Sequence, residues 1–228
     1  MATTPRAPDR PPELTAFTVV HRALRRDAAR LAAAAAGLQG GDARRARALR
    51  TWYGEYRAQL AAHHSLEDEL WFPALAEHVP TFDRHAGRLA REHAALDDAS
   101  DRLTAALDRL AATGAGPEAV GPARDAAGEL SALLDGHLRF EDGDILPLYL
   151  RHFTRDEYAE IERRSRKRLD LRRTPFAVPW ILGAATPDER ARLLATAPRA
   201  FTLLWFATRH RQARLSARAL GPDMQEVN

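Results

Sequence analysis

The chain has 228 residues, enough for one generous domain or a domain with an extension. It contains no cysteine, which excludes disulfides, thiolate zinc sites, iron–sulfur clusters and thiolate nucleophiles, so any metal must be held by His, Asp and Glu. The net charge of +3 is uneven: residues 1–150 carry 18 Lys/Arg against 22 Asp/Glu, net −4, and residues 151–228 carry 16 against 9, net +7.

Residues 1–13, MATTPRAPDRPPE, read as a disordered, Pro-rich lead without the apolar run of a signal peptide. Ala, Leu, Arg and Glu dominate the rest of the chain and strand-like alternation is absent, so the fold class expected is all-α. A first helix is predicted from about Leu14 to Leu38, stopped by the glycines at 37–41. A second runs from about Asp42, a fair N-cap, to about His78, with a kink or end near Pro73. A third runs from about Phe82 to Thr113, and a fourth from Pro117 to about His152, with Pro147 in the place of Pro73. Short connections make these four antiparallel neighbours in an up-down-up-down bundle over residues 14–152.

Residues 153–228 form a basic helical extension. Thr154 to Glu157 and Thr186 to Glu189 are capping boxes, and a last helix runs from about Pro198 to Leu220. PFAVPWIL, residues 175–182, reads as a buried plug or an interface. The last helix interleaves Phe201, Leu204, Trp205 and Leu215 with Arg209, Arg211, Arg214 and Arg218. Packing on the bundle with solvated arginines ranks first for it. Peripheral contact with an anionic membrane ranks lower, and only charge argues for nucleic acid. A homodimer through these helices is compatible with the pattern. The most apolar run, FTLLWFA from Phe201, is too short to span a bilayer, so a soluble cytoplasmic protein is expected.

The chemistry lies in a pattern written twice. HHSLEDELWFP at 63–73 and HLRFEDGDILP at 137–147 share His-x-x-x-Glu-Asp-x-x-x-x-Pro. Each is preceded, one helix earlier, by a lone His: His21 before the first and His93 before the second. On a helix, residues i and i+4 share a face, so His63 and Glu67 point together, as do His137 and Glu141. One such pair is usually a surface pair, but two pairs, each with a partner His on the preceding helix, converge near mid-bundle. Four imidazoles and two carboxylates facing inward are costly without a cation. Two cations, each taking two His and sharing bridging Glu, resolve the cost, and the donor set suits iron, with manganese or zinc as substitutes. Positions would remain for solvent and a small ligand.

His64 and Asp97 compete for further positions. His64 lies beside His63 with Glu67 between them on the helix wheel, and Asp97 follows His93 by four residues. Either serves as a ligand or as the partner that orients one; the spacing favours His64 as ligand and Asp97 as partner. Asp68 and Asp142 turn about 100° away from their Glu neighbours and are expected to hydrogen-bond ligands or adjacent helices. Tyr56 is read as a packed core residue, and His78, His85, His152 and His210 as structural or solvated.

The set His21, His63-x-x-x-Glu67, His93, His137-x-x-x-Glu141 resembles the hemerythrin-like family, the HHE cation-binding domain, in its bacterial form with a C-terminal helical extension. HHSLEDELWFPAL and GHLRFEDGDILPLY resemble that family's helix-two and helix-four signatures. The resemblance implies a non-haem di-iron centre with those six residues as ligands. Oxygen-carrying members place a second His where this chain has Asp97, and an Asp at longer spacing where it has Glu141. These departures point toward the members linked to peroxide and nitric oxide handling, and toward an iron-sensing domain of a eukaryotic ubiquitin-ligase subunit. Two functions are expected on this basis: catalase-like peroxide decomposition by a centre open to peroxide, O2 or NO, or an iron- or oxygen-sensing module that signals through the basic tail. A metal-free structural bundle ranks last.

Overall fold

The computed structural model describes residues 11–221. The Pro-rich lead therefore lies, for residues 1–10, outside the described residues; residues 11–14 carry no regular structure. Among the described residues there is helix and no strand. Four long helices form the bundle: α1 (Thr15–Ala36), α2 (Ala43–Leu66), α4 (Asp83–Ala112) and α5 (Pro117–Phe140). α2 runs on through a π turn, Glu67–Trp71, into α3 (Phe72–His78), and α5 through a second π turn, Glu141–Ile145, into α6 (Leu146–His152). Asp42 caps α2 by accepting from the Arg45 N–H at 3.0 Å.

The two prolines explain the π turns. Pro73 and Pro147 have no N–H to give the carbonyl four residues back, and their rings crowd it. Widening the helix by one residue removes that demand: the Phe72 N–H reaches back five residues to the Glu67 carbonyl, and the Leu146 N–H to Glu141. The kink or end expected at these prolines is thus a widened turn in a continuous helix, and each widened turn opens at the Glu of the repeated motif.

The extension comprises α7 (Arg155–Lys167), α8 (Thr174–Ala184), α9 (Pro187–Thr196) and α10 (Arg199–Leu220). Both expected capping boxes form, on Thr154 and Thr186. In the bundle, α5 packs on α1 and α4, and α4 on α2. Along the remaining seam α8 lies on α1, α10 lies on α2, and the two pack on each other. The plug PFAVPWIL is α8. Its Trp180 and Phe176 join the stacked Trp52 and Tyr56 of α2 in the main hydrophobic core, where Trp180 meets Tyr56 at 6.2 Å and Phe176 meets Trp52 at 6.5 Å. The Tyr56 hydroxyl donates to the Leu24 carbonyl at 2.9 Å, a satisfied core tyrosine.

Polar contacts fix the extension along the outer side of α1. Asp27 is buried and accepts from Arg26, Arg30 and the Trp180 indole N–H, the last at 2.8 Å. Arg22 forms a bidentate pair with Glu189 and also donates to the Ala184 carbonyl. In α10 the C-terminal end is buried through Ser216, Ala219 and Leu220, and the Ser216 hydroxyl accepts from the Trp52 indole at 3.0 Å. Phe201, Leu204, Trp205 and Leu215 are half-buried, while Arg211, Arg214 and Arg218 are exposed. No helix of the described residues is long and apolar enough to cross a membrane.

Asp27→Ala should remove the buried carboxylate shared by Arg26, Arg30 and the Trp180 N–H, at a cost of about 3 kcal/mol. Denaturant unfolding, with limited proteolysis of the extension, checks this; a variant as stable and protease-resistant as the parent would remove Asp27 from its anchoring role.

Candidate metal centre

Along each bundle helix a polar residue interrupts the apolar stripe at the same height. One hydrophobic cluster lies on the loop side of these residues, around Leu24, Leu60, Leu96 and Leu138, and a second lies beyond them, around Phe17, Trp71, Leu89 and Ile145. Between the clusters sit His21, His63, His64, Glu67, His93, His137 and Glu141, all buried.

Two overlapping groups have donor atoms that all lie within 4.8 Å of one another: His64, Glu67, His93 and His137, and His21, His63, Glu67 and Glu141. Ligands around one divalent ion at about 2.1 Å stand roughly 3–4 Å apart, so each group is of a size to hold one cation. Glu67 belongs to both. Its Oε1 lies 3.2 Å from His63 Nε2, and its Oε2 lies 3.6 Å from His93 Nε2. Glu141 Oε2 is 3.5 Å from both His21 Nε2 and His137 Nε2, so it too faces both groups.

The far side of three rings is held by carboxylates. His21 Nδ1 pairs with Asp142 at 2.7 Å, His93 Nδ1 with Asp68 at 3.1 Å, and His137 Nδ1 with Glu92 at 3.0 Å. An Nδ1–H donated outward leaves the Nε2 lone pair of each ring facing the cluster. Asp68 and Asp142 come directly after Glu67 and Glu141, and each reaches the lone His of the opposite hairpin. The repeated Glu-Asp pair therefore acts twice: Glu points into the cluster, and Asp holds the imidazole across from it.

Inside the cluster the donors have no partners. The Nε2 atoms of His21, His63, His93 and His137, both ring nitrogens of His64 and all four carboxylate oxygens of Glu67 and Glu141 are buried without a hydrogen bond. Buried polar groups are otherwise almost always satisfied. Burial pushes His21, His63, His64 and His137 below the usual imidazole range, His137 to about 4. Burial, and the carboxylates beside them, push Glu67 and Glu141 well above the carboxylate range. Burial thus favours the neutral form of these four rings, the form that ligates metal, and a cation beside Glu67 and Glu141 would favour their ionised form. The donor set fits a divalent metal.

The structure brings together all six residues expected from the spacing, and His64 with them. His64 stacks on His93 with ring centroids 4.1 Å apart. Asp97 is not part of the site, which corrects the expectation that it ligates or orients. It is exposed, and Asp68 takes the outer nitrogen of His93. The buried stripe of α4 runs Leu89, His93, Leu96, Ser100, Leu103. The step after His93 is three residues rather than four, and Asp97 falls outside it. Glu92 was missed. One residue before His93 it turns about 100° toward α5, and with Arg88 four residues earlier it reads as an ordinary surface ion pair.

The chain is thus a four-helix bundle protein with a buried histidine–carboxylate cluster of the kind that holds cations. Residues 14–149 match the hemerythrin HHE cation-binding domain, and the chain belongs to that family. No match was found among curated proteins or among solved structures.

The shifts have a sign in stability. Imidazoles whose folded pKa lies below the ordinary 6.5 stabilise the fold above that pH, and this is lost as pH falls, because the unfolded chain binds more protons. Glu67 and Glu141, raised above 4.5, act in reverse: the folded chain keeps protons that the unfolded chain has released, so stability is lost as pH rises. Below about 6.5 the four imidazoles outweigh the two carboxylates. Metal-free protein should therefore lose stability as pH falls through about 6.5, and a bound divalent ion, which needs neutral imidazoles, should steepen that loss. Melting curves from about pH 5 to 8, with and without metal, check this; metal-free stability that does not fall between about pH 7 and 5 would contradict it.

Proposed function

We propose that the chain is a non-haem di-iron protein that decomposes peroxide in a catalase-like reaction. The observation that carries this is the set of buried donors without hydrogen-bond partners, divided into two cation-sized groups that share Glu67. His64, His93 and His137 would hold one ion and His21 and His63 the other, with Glu67 and Glu141 between them. Iron bound there would supply a Lewis acid and an electron source to peroxide, O2 or NO. Manganese and zinc suit the same donors. Asp68 and Asp142 keep His93 and His21 aimed inward, and the aromatic floor of Phe17 and Trp71 shields the cluster from bulk water. The choice of peroxide over oxygen carriage is favoured by α4, where Asp97 stands outside the site, and by Glu141 in place of a more distant Asp.

A sensing role has one specific observation behind it. α1 carries His21 on its inner face, while its outer Arg22, Arg26, Asp27 and Arg30 seat the extension. Occupancy of the centre and order of the extension would then be coupled, and metal-free protein as protease-resistant as loaded protein would remove this reading.

Elemental analysis of protein expressed with iron should find about two irons per chain, lost in Glu67→Ala. The iron form should evolve oxygen rapidly from peroxide, and Glu141→Ala should not. An iron-loaded protein inert toward peroxide would sink the catalase-like reading and leave the sensor.

A further inference from the structure

The cluster is built on an approximate two-fold, and it breaks that symmetry at one residue. Within the repeat His93 corresponds to His21, so Glu92 corresponds to Val20. Asp68 and Asp142 are the repeat's own orienting pair. Glu92 is an addition to one half only: its Oε2 accepts from His137 Nδ1 at 3.0 Å, whereas Val20 offers no acceptor and packs against the hydrophobic core.

Glu92 is itself held. Arg88 donates to its Oε1 at 2.6 Å, and the Arg88 guanidinium lies 3.6 Å over the ring of Phe140, the residue just before Glu141. A chain of contacts thus leaves α5 at Phe140, crosses Arg88 and Glu92 on α4, and returns to α5 at His137. Glu92 stands on the wall of a solvent-open cleft of about 240 Å³ between α4 and α5, beside Leu96, Leu133 and Gly136, with His137 on its lining. It can be changed without opening the core.

We infer that Glu92 is a positioning residue that presets His137 for one of the two metal positions, the one formed with His64 and His93. The inference rests on reading the cluster as a metal centre. A carboxylate on the outer nitrogen fixes the tautomer and plane of a ligand imidazole, and loss of such a partner weakens metal binding about 10–100-fold. Two of the three imidazoles in that position are preset by carboxylates; in the other position only His21 is, through Asp142.

Metal-free full-length chain would be titrated anaerobically with Co²⁺, following the visible ligand-field bands and the heat of binding. Wild type should take two ions per chain. Glu92→Ala should bind one of them about 10–100-fold more weakly and leave the other unchanged. Asp142→Ala should weaken the opposite ion, so the bands that survive in the two variants differ. Glu92→Gln keeps an acceptor for His137 and should recover most of the affinity. Melting curves of the metal-free variants confirm that each is folded. Glu92→Ala that changes neither ion, or weakens both alike, overturns the inference, as does Glu92→Gln falling as far as Glu92→Ala. Wild type that takes up no cobalt overturns the metal-centre reading itself, and this inference with it.

Discussion

Two carboxylates and five imidazoles buried in an apolar bundle, with their inward atoms unpaired, set the terms for the rest of this structure. A charge in such a place is strongly unfavourable alone and becomes favourable around a cation. The surrounding features serve this cluster. The prolines at 73 and 147 widen each helix at the inward-facing Glu. The Asp after each Glu holds a ring on the opposite hairpin, so neither hairpin completes its half without the other.

The extension matters for the same reason. α1, α2 and the π turn after α2 supply His21, His63, His64 and Glu67, and the seam between these helices is filled by Trp180 and Phe176 of α8 and closed by α10. Asp27, six residues beyond His21 on the same helix, ties α1 to Trp180. Residues 153–220 therefore share the bundle's hydrophobic core, and the placement of His21 depends on both.

Much of this was legible in the sequence because the helical period converts spacing into faces. The helix boundaries follow from Asp42, Thr154 and Thr186 as caps and from the glycines at 37–41. The candidate ligand set is legible in a motif written twice. The features that escaped had physical causes. Asp97 matched His93 in spacing, but the buried stripe of α4 steps by three after His93 and leaves Asp97 in solvent. Glu92 is defined by a contact across two helices, which no pattern within one helix encodes. The π turns are not written in the spacing, because a proline within a helical pattern can end a helix or continue it through a widened turn.

The central claim is that this cluster holds two metal ions sharing Glu67. Anomalous diffraction at the iron edge, from crystals of iron-loaded protein, tests it most directly. Two peaks are predicted, one bounded by His64, His93 and His137 and the other by His21 and His63, with Glu67 between them. A single peak, a peak elsewhere on the molecule, or none would contradict the account.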